Sequence, residues 1–206
     1  MLQPFLFLAP VVVTALINVL VYGFHHPELV QAVRDATAGI ANVVYWIGGS
    51  SSGECFDESI EAWHLGEIAL PPDGEFEIDT SAKDYLAARQ EMIHDQLRRN
   101  PACTQFTPED SLNYATKLFA KFSTILNSKS VDIVFFQNLP HEGFELILYF
   151  AARFHGIKTT MCYQSVVPNR FFYSHRLSDF GHFQTCLRVK TPTINVSRSF
   201  AKDLFI

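Results

Sequence analysis

Apolar residues along this chain follow two rhythms: short unbroken runs, and stretches spaced by three and four. Residues 131–136 form an unbroken run except for Asp132, residues 140–154 are apolar nearly all round, and residues 158–163 follow Gly156 as a short β-compatible stretch ending in Met161-Cys162-Tyr163. That order predicts a strand, a deeply buried crossover helix stopped by Gly156, and a second strand. The unit spans about 30 residues, the size of a parallel strand–helix–strand crossover. The front of the chain repeats the rhythm. A helix over residues 28–38 follows Pro27 with Leu29, Val30, Val33 and Ala36 in register, Gly39 stops it, and residues 43–47 read as a strand ended by Gly48 and Gly49.

Between these units the pattern changes. Residues 54–80 are irregular and acidic, with a turn at Pro71-Pro72-Asp73-Gly74 and a short helix predicted over residues 55–64 from the spacing of Phe56, Ile60 and Trp63. Ser81-Ala82-Lys83-Asp84 resembles a capping box and predicts one helix running to about Arg99, closed by Asn100-Pro101. Thr107-Pro108-Glu109-Asp110 is a stronger start signal, and Leu112, Ala115, Phe119, Phe122 and Leu126 behind it form one apolar helical stripe. Beyond Tyr173 the pattern weakens to a short helix or loop over residues 174–181 and a tail without clean period. The expected class is α/β, a mostly parallel sheet with helices on both faces, in a single domain over residues 1–206.

Residues 2–22 carry no charge, and Gln3, Thr14 and Asn18 are their strongly polar side chains. The length could span a bilayer. Pro4, Pro10 and the β-branched run at residues 11–14, with no basic flank, favour two short buried strands near residues 5–9 and 17–22 over a membrane anchor. A net charge of −5 without a Lys or Arg block argues against nucleic acid as ligand. Cys55, Cys103, Cys162 and Cys186 are far apart and form no CxxC, which fits reduced thiols in a cytoplasmic compartment, with Cys162 buried in its strand. On that expectation the sequon Asn195-Val196-Ser197 is one in form only.

Candidate chemistry gathers where the two strands of the 131–163 unit end. If those strands are neighbours, Asn138, His141 and Glu142 meet Gln164, Ser165, Asn169 and Arg170 at one sheet edge, where open α/β sheets bind ligands. His141 or Glu142 can take a proton from a hydroxyl, first-turn N–H groups can face an anion, and Arg170 can clamp a phosphate or carboxylate. Each also has a plain structural use. Glu142 answers the helix dipole, His141 can tie down a loop, Arg170 can pair with Asp179, and Gln164 and Asn169 are ordinary loop residues. His25-His26 lacks a third ligand, and Gly181 interrupts His175, Asp179 and His182, so no metal is expected. With no GxGxxG, GxSxG or Walker motif, no cofactor is expected either.

The run Asn138-Leu139-Pro140-His141-Glu142-Gly143, with Tyr149, Ala151-Ala152, Gly156-Ile157-Lys158-Thr159, Gln164-Ser165 and Pro168-Asn169-Arg170-Phe171, resembles the N-terminal half of bacterial capsule and surface-polysaccharide biosynthesis proteins. The resemblance covers residues 107–173 well and the first 50 in outline. Those proteins look like glycosyltransferases with two Rossmann-like domains. It implies a Rossmann-like fold and transfer from a nucleotide sugar to a saccharide acceptor, with His141 or Glu142 as base. Asn138, Gln164, Ser165, Asn169 and Arg170 would line the cleft. It also implies that the donor site lies mostly in a second domain beginning where this chain ends. A partner domain or a homo-oligomer would then complete the cleft, in the cytoplasm or peripherally on the inner membrane face. The rival expectation is a non-catalytic α/β binding or assembly module docking through exposed aromatics such as Phe171 and Phe172.

Overall fold

The computed structural model of the chain describes residues 16–24, 26–49, 56–65, 67–72, 78–164 and 171–179, with Gln164 and Phe171 by their backbone alone. In chain order they form β1 (Ile17–Tyr22), α1 (Pro27–Thr37), β2 (Ala41–Gly48), β3 (Glu58–Ser59) and α2 (Ile60–Leu65). There follow α3 (Thr80–Ala87), α4 (Gln90–Leu97), α5 (Pro108–Ser128), β4 (Ile133–Phe136), α6 (Gly143–Phe154), β5 (Lys158–Gln164) and β6 (Phe171–Ser174). The strands make one sheet in the order β3-β2-β1-β4-β5-β6. All neighbours run parallel except β5 and β6. This is the Rossmann-like α/β arrangement expected from the alternating pattern.

The alternation of side chains sends each strand's residues to opposite layers. Leu20 and Tyr22 of β1, Val134 and Phe136 of β4 and Met161 of β5 join the main core beneath α2 to α6. Val19 and Val21 face the other way, with Trp46, onto Val30 and Val33 of α1. In β2 the register slips by one residue opposite Val19 and Leu20. The extra residue places both Val44 and Tyr45 against the main core, while Val43 and Trp46 serve the α1 layer. Asp132, the polar break in its apolar run, lies at the entry to β4, where its carboxylate accepts from Asn18 N–H at 2.8 Å.

Local chemistry explains where helices start and break. Thr107 and Asp110 form the reciprocal capping box of α5, and Pro108 opens the helix. The single helix expected from Ser81 to Arg99 is instead two. Asp79, not Ser81, caps the first, accepting from Ala82 N–H and from the Ser81 hydroxyl. The chain breaks at Ala88-Arg89 because the Arg89 guanidinium donates to Tyr85 O at 2.7 Å. In a continuous helix that carbonyl would receive the Arg89 backbone N–H, which here goes to Leu86 O.

The irregular stretch is anchored more firmly than its sequence suggests. Trp63 is fully buried, stacked on Phe122 and edge-on to Phe144. Lys121 of α5 pairs with Glu58 at 2.5 Å and donates to Ala69 O. β6, four residues paired antiparallel with β5, went unforeseen. Cys162, expected to be buried, is only half-buried in the thinner α1 layer, though burial still pushes its thiol up to about 11. Cys103 and Cys162 are free thiols, whereas Cys55, Cys186, the sequon and the expected strand at residues 5–9 lie outside the described residues. Residues 17–22 form one of the sheet's two central strands, and among the described residues no helix is long and apolar enough to cross a membrane.

Gly143 opens α6 with Leu97 so near that an added Cβ would stand 2.4 Å from its Cδ2 and 3.0 Å from its Cα. Gly→Ala in a helix usually stabilises by up to ~1 kcal/mol. Here overpacking reverses the sign, and Gly143→Ala is expected to lower unfolding free energy by ~1–3 kcal/mol in urea titration. An increase in stability would show that Leu97 yields.

Candidate functional site

The strand order has its reversal between β1 and β4. From β1 the chain steps outward to β2 on one side, and from β4 it steps to β5 on the other. The connections leaving the carboxyl ends of these two strands lead to opposite sides there, and in such sheets that reversal is the usual place for a ligand crevice. The candidate site is therefore centred one strand closer to β1 than the sequence suggested.

Its floor is tightly tied. After β1, Gly23 and Phe24 adopt left-handed backbone at φ 85° and 53°. Gly23 N–H donates to Ile47 O, Gly23 O accepts from the Trp46 indole, and Gln137 N–H donates to Tyr22 O, each at 2.9 Å. The Gln137 side-chain oxygen accepts from Phe24 N–H. A Cβ on Gly23 would lie 2.6 Å from Gln137 Cβ, so both the backbone angle and the space demand glycine.

Two histidine–carboxylate pairs stand at this edge. His64, from the end of α2, places Nε2 3.4 Å from Glu142 Oε2, with both side chains more than a third exposed. Glu142 holds the N-cap position of α6 without bonding the helix through its side chain, which leaves the carboxylate to His64 and the crevice. His141 Nδ1 lies 2.8 Å from Leu139 O and 3.4 Å from Glu145 Oε2, and its backbone N–H donates to that same oxygen at 3.1 Å. Glu145 sits on the first turn of α6 and is buried. Its hydrogen bond is the main reason the His141 imidazole is pushed up to about 9, against a smaller opposing effect of desolvation. His141 is therefore a cation at neutral pH.

Tyr22 lies below these groups. Its hydroxyl is buried with no hydrogen-bond partner among the described residues. Burial first, then the charges of Glu145 and Glu142, hold the phenol well above its ordinary range.

Of the residues singled out from sequence, Asn138, His141 and Glu142 share this edge, with Asn138 engaged locally through Leu139 N–H. Gln164 ends β5, the neighbour of β4, but three residues past the last β4 pairing, or about 10 Å further along the strand. Ser165, Asn169 and Arg170 lie outside the described residues. Sequence reasoning missed His64, Glu145, Tyr22, Gly23 and Gln137. The signal that could have found Glu145 was a lone acid on an otherwise apolar helical turn. His175 lies near Thr159 O and the Thr160 hydroxyl at the opposite edge, since β6 runs antiparallel. Among the described residues no group of His, Cys, Asp and Glu could hold a metal. A cavity of about 560 Å³ also lies at that far edge, between Leu16-Ile17, residues 131–133 and residues 156–158, away from the histidine pairs.

The raised His141 value fixes the sign of a pH effect. Its stabilising contribution is complete below the ordinary value of 6.5 and is lost as pH rises through about 9. The half-exposed ring limits this to about 1 kcal/mol or less. Urea denaturation at pH 6 and pH 9.5 should show a larger loss for the parent than for His141→Gln; equal losses would remove the charged pair.

Comparison with family models, with curated proteins and with solved structures gives no match to this chain.

Proposed function

We propose that this chain is the acceptor-side, Rossmann-like domain of a glycosyltransferase in surface-polysaccharide assembly, acting with a nucleotide sugar. The observation that carries the reading is the His64–Glu142 pair at the β1/β4 crevice, beside a charged His141. Glu142 is the base in preference to His141, because a ring already protonated cannot accept the hydroxyl proton. An acceptor hydroxyl would form its bond to the anomeric carbon while its proton passes to Glu142. The bond from that carbon to the phosphate oxygen breaks, and the nucleoside diphosphate leaves with the electron pair. His64 Nε2 stands 3.4 Å from that carboxylate. A partner domain or second copy would supply most of the donor contacts.

A second reading draws on the far edge of the sheet. Tyr163, Phe172 and Tyr173 of the β5–β6 pair are exposed, which suits an assembly module that docks by aromatic contacts. Velocity sedimentation combined with a transfer assay separates the two readings, because the module should form a stable complex that shows no transfer.

The test of the first reading is transfer from labelled nucleotide sugars to oligosaccharide acceptors. It should be run with the chain alone and with any coding sequence that continues its reading frame past Ile206. The double variant His141→Ala/Glu142→Ala should lower the rate about a hundred- to ten-thousand-fold. An unaltered rate would remove the base assignment.

A further inference from the structure

We propose that Glu145 is a positioning residue for His141, fixing the ring with Nδ1 inward as a donor and leaving Nε2 as the proton-donating atom offered to a ligand in the crevice. The proposal rests on the reading of the β1/β4 crevice as the functional site, but its geometry can be measured separately.

Three contacts carry it. Leu139 O at 2.8 Å is an acceptor only, so Nδ1 must hold a hydrogen in either charge state. Glu145 Oε2 adds a second acceptor at 3.4 Å on the same side and also receives the His141 backbone N–H at 3.1 Å. One carboxylate oxygen thus holds both the ring and the peptide of a residue that is otherwise exposed. Nε2 has no partner among the described residues. A histidine held on one nitrogen by a carboxylate presents the other in a defined state, the logic common to metal-bound and catalytic histidines.

The carboxylate's location argues against a purely structural helix cap. A cap needs an acceptor, which a neutral amide supplies, whereas a buried carboxylate carries a desolvation cost that the imidazolium offsets. Of the groups facing His141, the Leu139 carbonyl and the carboxylates of Glu145 and Glu142 favour its charge. Glu145 approaches from α6 and Glu142 from the preceding loop, while Tyr22 from β1 lies beneath the carboxylates and His64 from α2 lies across Glu142. Tyr22 brings a buried hydroxyl, without a hydrogen-bond partner among the described residues, near the same two carboxylates.

Glu145→Gln separates the two roles, since the amide oxygen still accepts the His141 N–H while the charge is gone. Ring-nitrogen NMR on the full chain, with the His141 signal assigned by its loss in His141→Gln, should show a parent midpoint near 9. On deprotonation the neutral ring should keep its proton on Nδ1. Glu145→Gln should lower the midpoint by roughly one to two pH units, and Glu145→Asp should restore part of that shift. If transfer is detected, Glu145→Gln should reduce kcat near pH 8 and leave KM little changed. An unshifted midpoint in Glu145→Gln, or a neutral parent ring protonated on Nε2, would overturn the proposal. Should Glu145→Gln not fold, the parent tautomer and Glu145→Asp still decide it. Absence of sugar transfer would count against the proposed function and leave the NMR result standing.

Discussion

Enclosure of α6 is the constraint on which the rest depends. Every residue from Gly143 to Ala152 is buried, between the sheet on one side and α4 and α5 on the other. A helix wrapped this fully has no solvent-facing stripe on which to place polar groups. Its first turn must meet its polar needs from nearby chain, and it does so through the loop that leaves β4. The site is a by-product of that closure. His141 and Glu142 stand where they do because the entering chain must cover a buried carboxylate and a helix N-terminus in the six residues between Phe136 and Gly143. Leu97, pressed against Gly143, sets how close α4 can bring its own end to that point.

Much of this was legible before any coordinates. Apolar runs marked β2 and β4, the Gly156 stop placed β5 behind α6, and Thr107 with Asp110 marked the start of α5, because short-range hydrogen bonding and burial on both faces leave direct traces in sequence. The α3–α4 break was hidden, since it depends on a side chain taking a carbonyl from its own backbone N–H, a competition that spacing cannot reveal. The site was half legible. Asn138, His141 and Glu142 could be found as polar residues after a strand, but His64 arrives from an irregular segment whose placement depends on Trp63 packing and on the Lys121–Glu58 pair. Strand order decided the rest. Knowing that β1 and not β5 flanks the crevice requires long-range pairing, which no local pattern encodes.

The two faces of the sheet are built to different depths. Five helices cover one face and α1 alone covers the other among the described residues, so Trp46, Val19 and Val21 sit in a thinner layer than Trp63 and Phe122. The crevice floor belongs to both layers. Tyr22 faces the thick side, while Phe24, stacked on Phe135 at 4.7 Å, faces the thin one.

The two tryptophans divide along that line, which gives the molecule a natural pair of optical probes. Trp63 is sandwiched among aromatic rings deep in the thick layer and should emit as a dry, shielded indole. Trp46 ends in a hydrogen bond to Gly23 O, a carbonyl of the crevice floor itself. Its emission is coupled to the backbone that a ligand would press upon, while that of Trp63 follows the integrity of the core. Intrinsic fluorescence can therefore separate occupancy of the crevice from loosening of the fold without any label.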